Sequence, residues 1–164
     1  MKWLLIGVLA LAAVGALAAL VGTRLPRDHV ASRQATLPAL PDAVWRAITN
    51  IEAFPSWRTD VKTVVRLAPR EGRPVWSESG GSGRMTLATE RSEPPRLLVV
   101  RIDPGLPFGG TWTYEVAPVP GGSTLTITEN GEIYNPLFRF MARYIFGYEG
   151  TIETYMAALK KHLG

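Results

Sequence analysis

The chain has 164 residues, 46% of them hydrophobic, and its 18 Lys and Arg residues outnumber its 14 Asp and Glu residues, which gives a formal net charge of +4. It contains no cysteine, and this excludes disulfides, zinc–thiolate sites, iron–sulfur clusters and thiol nucleophiles. The basic residues are scattered singly among acidic ones, so a nucleic-acid-binding surface is not expected.

The first predicted element is a membrane-spanning helix from Trp3 to Gly22, a run of uncharged and mostly aliphatic residues. A helix over that run extends about 30 Å, which matches the hydrocarbon core of a bilayer. The alternative is a cleaved signal peptide, because Ala16-Leu17-Ala18 fits a small-x-small cleavage pattern, although the run is longer than an ordinary signal core. We predict an anchor over residues 1–23, with the signal segment as the alternative, and a linker over residues 24–28.

The charges that flank this helix say little about its orientation. Lys2 and the N-terminal amine precede the helix, and Arg24 and Arg27 follow it, so the positive-inside rule gives only a slight preference. The prediction is a single-pass membrane protein whose soluble domain lies on the extracytoplasmic side.

Residues 29–164 are predicted to form one α+β domain. Alternating polarity predicts a strand from His29 to Leu37, and Pro41-Asp42 predicts the start of a short helix that ends at Asn50. A second helical turn is expected from Ile51 to Trp57. Six further strands are predicted at residues 61–67, 74–78, 84–91, 96–102, 110–116 and 123–132.

The links between these strands are short, which favours an antiparallel sheet of about seven strands. One link, Gly80 to Gly83, is rich in glycine. It lacks the Lys-Ser/Thr pair of a phosphate-binding loop and lies between two strands, so we interpret it as a hairpin turn.

A long amphipathic helix is predicted from Asn135 to Leu163. Its apolar residues recur at steps of three and four and so share one helix face; they are Met141, Ile145, Tyr148, Ile152, Tyr155, Met156, Leu159 and Leu163. Gly147 and Gly150 interrupt the middle, where a kink is expected. The concave face of the antiparallel sheet is the surface against which this helix can bury its apolar face.

The chain resembles one protein superfamily in the order of its elements and in several motifs. The motifs are LPALPDAVWRAITNIEAFPSWRTDV, Glu93-Pro94-Pro95-Arg96-Leu97, Gly109-Gly110-Thr111-Trp112-Thr113-Tyr114 and the long closing helix. With these it resembles the SRPBCC superfamily of START and Bet v 1-like helix-grip proteins, and more narrowly the bacterial polyketide cyclase/dehydrase group. The resemblance covers about Val30 to Leu163.

This resemblance implies a helix-grip fold, in which a curved antiparallel sheet wraps the C-terminal helix. It also implies a deep apolar cavity that holds a lipid, polyketide, sterol or similar molecule. Because relatives include both enzymes and carriers, the resemblance leaves the activity open.

Aromatic side chains are the predicted ligand-binding residues. Trp112 and Tyr114 share the apolar face of one strand, since alternate residues of a strand point to the same side. The full predicted set is Trp76, Trp112, Tyr114, Tyr134, Phe138 and Tyr144. A plain aromatic core explains these residues equally well.

Two glutamates are candidates for acid–base catalysis. Glu78 shares a strand face with Trp76, and Glu129 continues an apolar row of the last strand. A carboxyl group among aromatic side chains can act as an acid or base, here with Tyr114 or Tyr134, but a structural ion pair with an arginine is the simpler alternative.

The two histidines are not expected to contribute chemistry. His29 lies at the beginning of the soluble domain and His162 at its end, so both are predicted to lie away from the centre of the cavity. No metal site and no cofactor are predicted.

Together these features predict a membrane-tethered binding protein for a small hydrophobic ligand, lipid or polyketide-like. One alternative is a cyclase or dehydratase that uses Glu78 or Glu129 with a tyrosine. The second alternative is a non-catalytic interaction protein whose cavity is filled by its own side chains.

Overall fold

The computed structural model describes residues 1–81 and 83–164. The helices are α1 (Lys2–Thr23), α2 (Pro41–Thr49), α3 (Phe54–Trp57), α4 (Pro136–Met141) and α5 (Gly150–Leu163), with a 3-10 turn at Ile51–Ala53 and a π-helical turn at Ala142–Phe146. The strands are β1 (Asp28–Leu37), β2 (Val61–Arg70), β3 (Arg73–Gly80), β4 (Gly83–Glu93), β5 (Leu97–Ile102), β6 (Phe108–Val119) and β7 (Gly122–Ile133).

The strands form one antiparallel sheet with the order β1-β7-β6-β5-β4-β3-β2. Strands β2 to β7 therefore make a meander, and β1 pairs with β7 at its end. This arrangement confirms the predicted α+β helix-grip class and its seven strands. Several strands extend past their predicted ends, because ladder hydrogen bonds continue into the turns; β6 and β7 pair as far as Val119 and Gly122. In the predicted hairpin turn between β3 and β4, Ser82 lies outside the described residues.

The hydrophobic core lies between the sheet and α5. Ile152, Leu159 and their neighbours Tyr155 and Met156 are buried on one face of α5, as the periodicity predicts. They belong to the same apolar cluster as Leu125 and Ile127 of β7 and Val44 and Ile48 of α2. The α5 helix is thus fixed on the sheet by its own apolar face.

The predicted C-terminal helix is present, but it is divided. Gly147 has φ of 74° and ψ of −178°, a conformation that side chains with a Cβ avoid. It ends the π-helical turn, and α5 begins at Gly150. The kink expected between Gly147 and Gly150 is therefore a complete break, and Ile145, which the periodicity places on the buried face, is exposed.

Helix α1 lies outside the domain core. It is long and apolar enough to cross a membrane by length and composition, and its apolar window has no buried residue. Its last turn contacts the domain: a Cβ at Gly22 would lie 1.9 Å from the carbonyl oxygen of Pro136 in α4. In addition, the buried Arg139 of α4 donates from Nη1 to the carbonyl oxygen of Leu25 at 2.8 Å. The end of α1 is therefore packed closely against α4.

Candidate functional site: an apolar cavity with two polar clusters

A cavity of about 420 Å³ lies between the sheet and the C-terminal helical segment. Strands β3 to β7 supply one wall, and α4, the π-helical turn and α5 supply the other. The apolar part of its lining includes Met85, Leu87, Leu98, Val100, Ile102 and Ile133. A volume of this size with mainly apolar walls is typical of sites for small organic ligands.

The structure brings four of the six predicted aromatic residues into the wall of this cavity. Trp76 and Glu78 line it from β3, Trp112 and Tyr114 from β6, and Phe138 from α4. Each strand contributes residues two positions apart, because alternate side chains share one face of a strand.

Tyr134 and Tyr144 lie outside the lining. Tyr134 follows the end of β7 and is exposed, and its hydroxyl donates to Glu132 at 2.6 Å. Tyr144 is exposed in the π-helical turn, where its ring lies 5.0 Å from that of Phe140. Tyr134 lies after the end of β7, and Tyr144 lies in the π-helical turn, on a side that does not face the cavity.

The first polar cluster surrounds Glu78, which is only 3% exposed. Its Oε1 accepts from Nε1 of Trp76 at 2.9 Å and from Nη1 of Arg58 at 3.1 Å. Arg58 also donates from Nη2 to Asp60 at 2.6 Å. Glu78 is thus a structural partner of Arg58, as the ion-pair alternative proposes.

Arg58 is held in this cluster by aromatic rings as well as by carboxylates. Its guanidinium carbon lies 5.1 Å from the ring centre of Phe54 and 5.2 Å from that of Tyr155. Burial opposes its charge, but the hydrogen bond to Asp60 and the charge of Glu78 outweigh burial and raise the pKa of Arg58. Arg58 is therefore a fixed positive charge at the cavity wall.

Two tyrosines lie beside this charge. The ring centres of Tyr114 and Tyr155 are 5.7 Å apart, and burial raises the pKa of both hydroxyls above the ordinary value. Both remain neutral proton donors at physiological pH. The two hydroxyls influence each other as neighbours in hydrogen-bonding range, but among the described residues the buried Tyr155 hydroxyl makes no hydrogen bond of good geometry, so it can bond to an oxygen atom of a bound ligand.

The second polar cluster contains one of the two histidines that were predicted to lie away from the centre of the cavity. His29 lines the cavity from β1, and its Nε2 lies 3.7 Å from Oε1 of Glu129, which also lines it. The imidazole stacks on Tyr148 with 4.1 Å between ring centres. Gly131 pairs with His29 across the ladder, and a Cβ there would lie 2.2 Å from the ring.

The sequence did not reveal this position of His29, because it depends on the pairing of β1 with β7. These are the first and the last strands of the sheet in chain order. Its Nδ1 is buried and has no hydrogen-bond partner in the part of the chain that the structure describes. His162, by contrast, stacks on Trp57, and neither ring lines the cavity. Over residues 1–81 and 83–164, no group of three His, Asp or Glu residues is suited to hold a metal ion.

The sequence matches a family model described as polyketide cyclase/dehydrase and lipid transport over residues 28–164. This range begins at the first residue of β1 and includes both polar clusters. No curated protein matches the chain at a significant level.

Several solved structures share the fold. A START superfamily protein from Mycobacterium smegmatis is 18% identical and superposes with a TM-score of 0.68, over 82% of this chain and 97% of its own. A protein from Thermus thermophilus is 17% identical with a TM-score of 0.70, over 82% and 97%. The aromatase/cyclase ZhuI from Streptomyces sp. R1128 is 12% identical with a TM-score of 0.66, over 83% and 93%. At these identities the likeness concerns the fold alone.

Proposed function

Since the chain belongs to the polyketide cyclase/dehydrase and lipid transport family, we propose that it is a membrane-tethered protein that binds a small hydrophobic ligand. The observation that carries this proposal is the cavity of about 420 Å³ between the sheet and the C-terminal helical segment. Trp76, Trp112 and Phe138 supply broad apolar surface to its wall, and burial of such surface is the main driving force for binding a lipid-like molecule.

The ligand is expected to carry oxygen atoms on an apolar body. The buried Tyr155 hydroxyl lies beside that of Tyr114 but makes no hydrogen bond of good geometry among the described residues, and a buried hydroxyl that stays unpaired costs up to about 3 kcal/mol. A ligand carbonyl or hydroxyl at that point recovers this cost. A lipid or a polyketide-like molecule has this combination of groups.

Binding accounts for the first polar cluster better than catalysis does. Oε1 of Glu78 already accepts hydrogen bonds from Trp76 and Arg58, which favours a structural role for this side chain. The open volume also gives no support to the alternative of an interaction protein with a filled interior.

A second candidate function is favoured by the pair of His29 and Glu129. A histidine oriented by a carboxylate is a common general base, and hydrogen bonds of this kind often tighten only when substrate is bound. A cyclase or dehydratase would use this pair for proton transfer. Conversion of a short poly-β-ketone that falls about a hundredfold or more in Glu129→Gln, with binding retained, would establish this function in place of a carrier.

The test of the carrier proposal is titration with a conjugated-polyene fatty acid, whose own fluorescence rises in an apolar site. Trp112→Ala is expected to weaken its binding by roughly tenfold, because an aromatic anchor of the wall is lost. Trp45→Ala is the matched control: Trp45 does not line this cavity but a second, smaller one that shares Trp76 and Leu98 with it, so its loss is expected to change the affinity much less. Probe binding that is identical in wild type and Trp112→Ala would place the site elsewhere.

A further inference from the structure

The α4–π-turn segment, residues 136–146, exposes large apolar side chains next to the cavity. Phe138, Tyr144, Ile145 and Phe146 are all exposed in this short stretch. We name these four residues the mouth surface. Water-exposed apolar groups at this density mark a surface that is covered in the functional state.

The mouth surface is also where the cavity reaches the outside. Phe138 and Phe146 line the cavity and are exposed at the same time. A residue can do both only at an opening. A hydrophobic ligand that enters here passes between apolar side chains.

The end of helix α1 lies directly beside this segment. Gly22 in the last turn of α1 lies against Pro136, the first residue of α4. Arg139, on the next turn of α4, bonds to the carbonyl oxygen of Leu25 just after α1. If α1 spans a bilayer, its last turn is at the membrane–water interface, and α4 is held at the same depth.

The composition of the α4–π-turn segment is typical of a surface at the membrane–water interface. No Asp or Glu occurs from residue 133 to residue 148, and Arg24, Arg27 and Arg143 are exposed near it. Aromatic side chains are favoured at the level of lipid headgroups, and exposed arginines are attracted to anionic lipid. The chemistry of a bilayer surface therefore complements both the apolar and the charged groups of the segment.

We propose that the mouth surface inserts into the interfacial layer of the bilayer that α1 spans, so that the cavity opens into the membrane and exchanges its ligand with lipid directly. This inference rests on the membrane tether in the proposed function. It adds that the domain itself, and not only α1, contacts the lipid.

The test uses the full chain, which has no cysteine, so that single cysteines can be labelled uniquely. Ile145→Cys labels the mouth surface at a side chain that is 62% exposed, and Val65→Cys labels β2 at the far sheet edge, where the side chain is 58% exposed. Leu11→Cys labels the middle of α1. Each variant carries an environment-sensitive nitrobenzoxadiazole dye in nanodiscs of phosphatidylcholine and phosphatidylglycerol, with and without doxyl-labelled lipid.

The expected result is quenching by doxyl lipid at residues 11 and 145 and none at residue 65. Quenching at 11 with equal, low quenching at 145 and 65 would overturn the inference and leave the tether standing. Quenching at 145 without quenching at 11 would show that the surface contacts lipid while α1 does not span the bilayer, and it would overturn both the tether and the inference that rests on it. Protection of residue 145 from aqueous iodide without lipid quenching would mean that another protein copy covers the surface, and it would also overturn the inference.

Discussion

Tyr155 gives the cavity a buried hydroxyl group that lies beside the Tyr114 hydroxyl and makes no hydrogen bond of good geometry among the described residues. Its ring is in contact distance of the aromatic side chains Trp57, Trp112 and Tyr114. Phenylalanine would supply the same packing without burying an unpaired polar atom. The hydroxyl is therefore the polar contact that the proposed ligand is expected to make, at some cost to the stability of the empty protein.

Tyr155→Phe tests this explanation. Without ligand, the free energy of unfolding in urea is expected to stay unchanged or to rise by up to about 1 kcal/mol, because an unpaired buried group is removed. Binding of an oxygenated ligand such as the fatty acid probe is expected to weaken. Tyr134→Phe is the control, since that hydroxyl bonds to Glu132 outside the cavity. A clear loss of stability in Tyr155→Phe would mean that the hydroxyl is already bonded.

Tyr155→Phe is also expected to change the free energy of unfolding at alkaline pH. Burial raises the pKa of Tyr155 in the folded protein, so the unfolded chain loses its proton first as the pH rises. Titration of Tyr155 therefore does not change the free energy of unfolding below about pH 10, and it lowers that free energy at higher pH. Tyr155→Phe is expected to lessen that fall, in unfolding curves measured on both sides of pH 10.

At the scale of elements, the break at Gly147 divides the C-terminal helical segment into two parts that differ in burial. The α5 helix buries Ile152 and Leu159 completely and so fixes the domain core. The α4–π-turn segment instead exposes Ile145 and its aromatic neighbours and borders the cavity. Because the helix is broken, the axis of the α4–π-turn segment and its exposure can differ from those of α5.

Gly147→Ala and Gly150→Ala form a matched pair that tests the break. Gly147 has a positive φ, so a Cβ is expected to destabilise the protein by about 1–3 kcal/mol. Gly150 begins α5, has no atom within 4 Å of a Cβ and needs no positive φ, so alanine is expected to stabilise it by about 0.4–1 kcal/mol. Urea unfolding measures both; equal effects would argue against a strained break at Gly147.

At the scale of the whole molecule, the hydrophobic helix α1 packs on the α+β domain through α4. Gly22 against Pro136 and Arg139 against Leu25 are among the interactions that hold α1 and the link after it on the domain. The hydrophobic core of the domain contains no residue of α1. Helix α1 is therefore not needed to complete the core.

The presence of a separate apolar helix predicts how the full chain behaves in a membrane fractionation. The protein is expected to sediment with membranes and to resist carbonate extraction, because the apolar helix from Lys2 to Thr23 is long enough to span. Edman sequencing of the mature N-terminus is the control. A soluble protein that begins at Ala19 would establish the signal-peptide alternative and overturn the tether.

The elements that rest on local pattern were predictable from the sequence by itself. Uncharged length defined α1, alternation and turn residues located the seven strands, and the helical period identified Ile152 and Leu159 as core. Strand parity likewise put Trp112 and Tyr114 together on one face. These features depend on neighbours within a few residues, where backbone geometry dictates which side chains share a face.

The polar chemistry of the cavity was decided by tertiary structure. The approach of His29 to Glu129 requires the register of β1 on β7, and the pairing of Arg58 with Glu78 requires the turn after α3 to lie against β3. The position of the mouth surface beside α1 depends on Gly22 meeting Pro136. Each of these contacts joins residues far apart in the chain, and their distance in space follows only when the packing of the whole fold sets the register between elements.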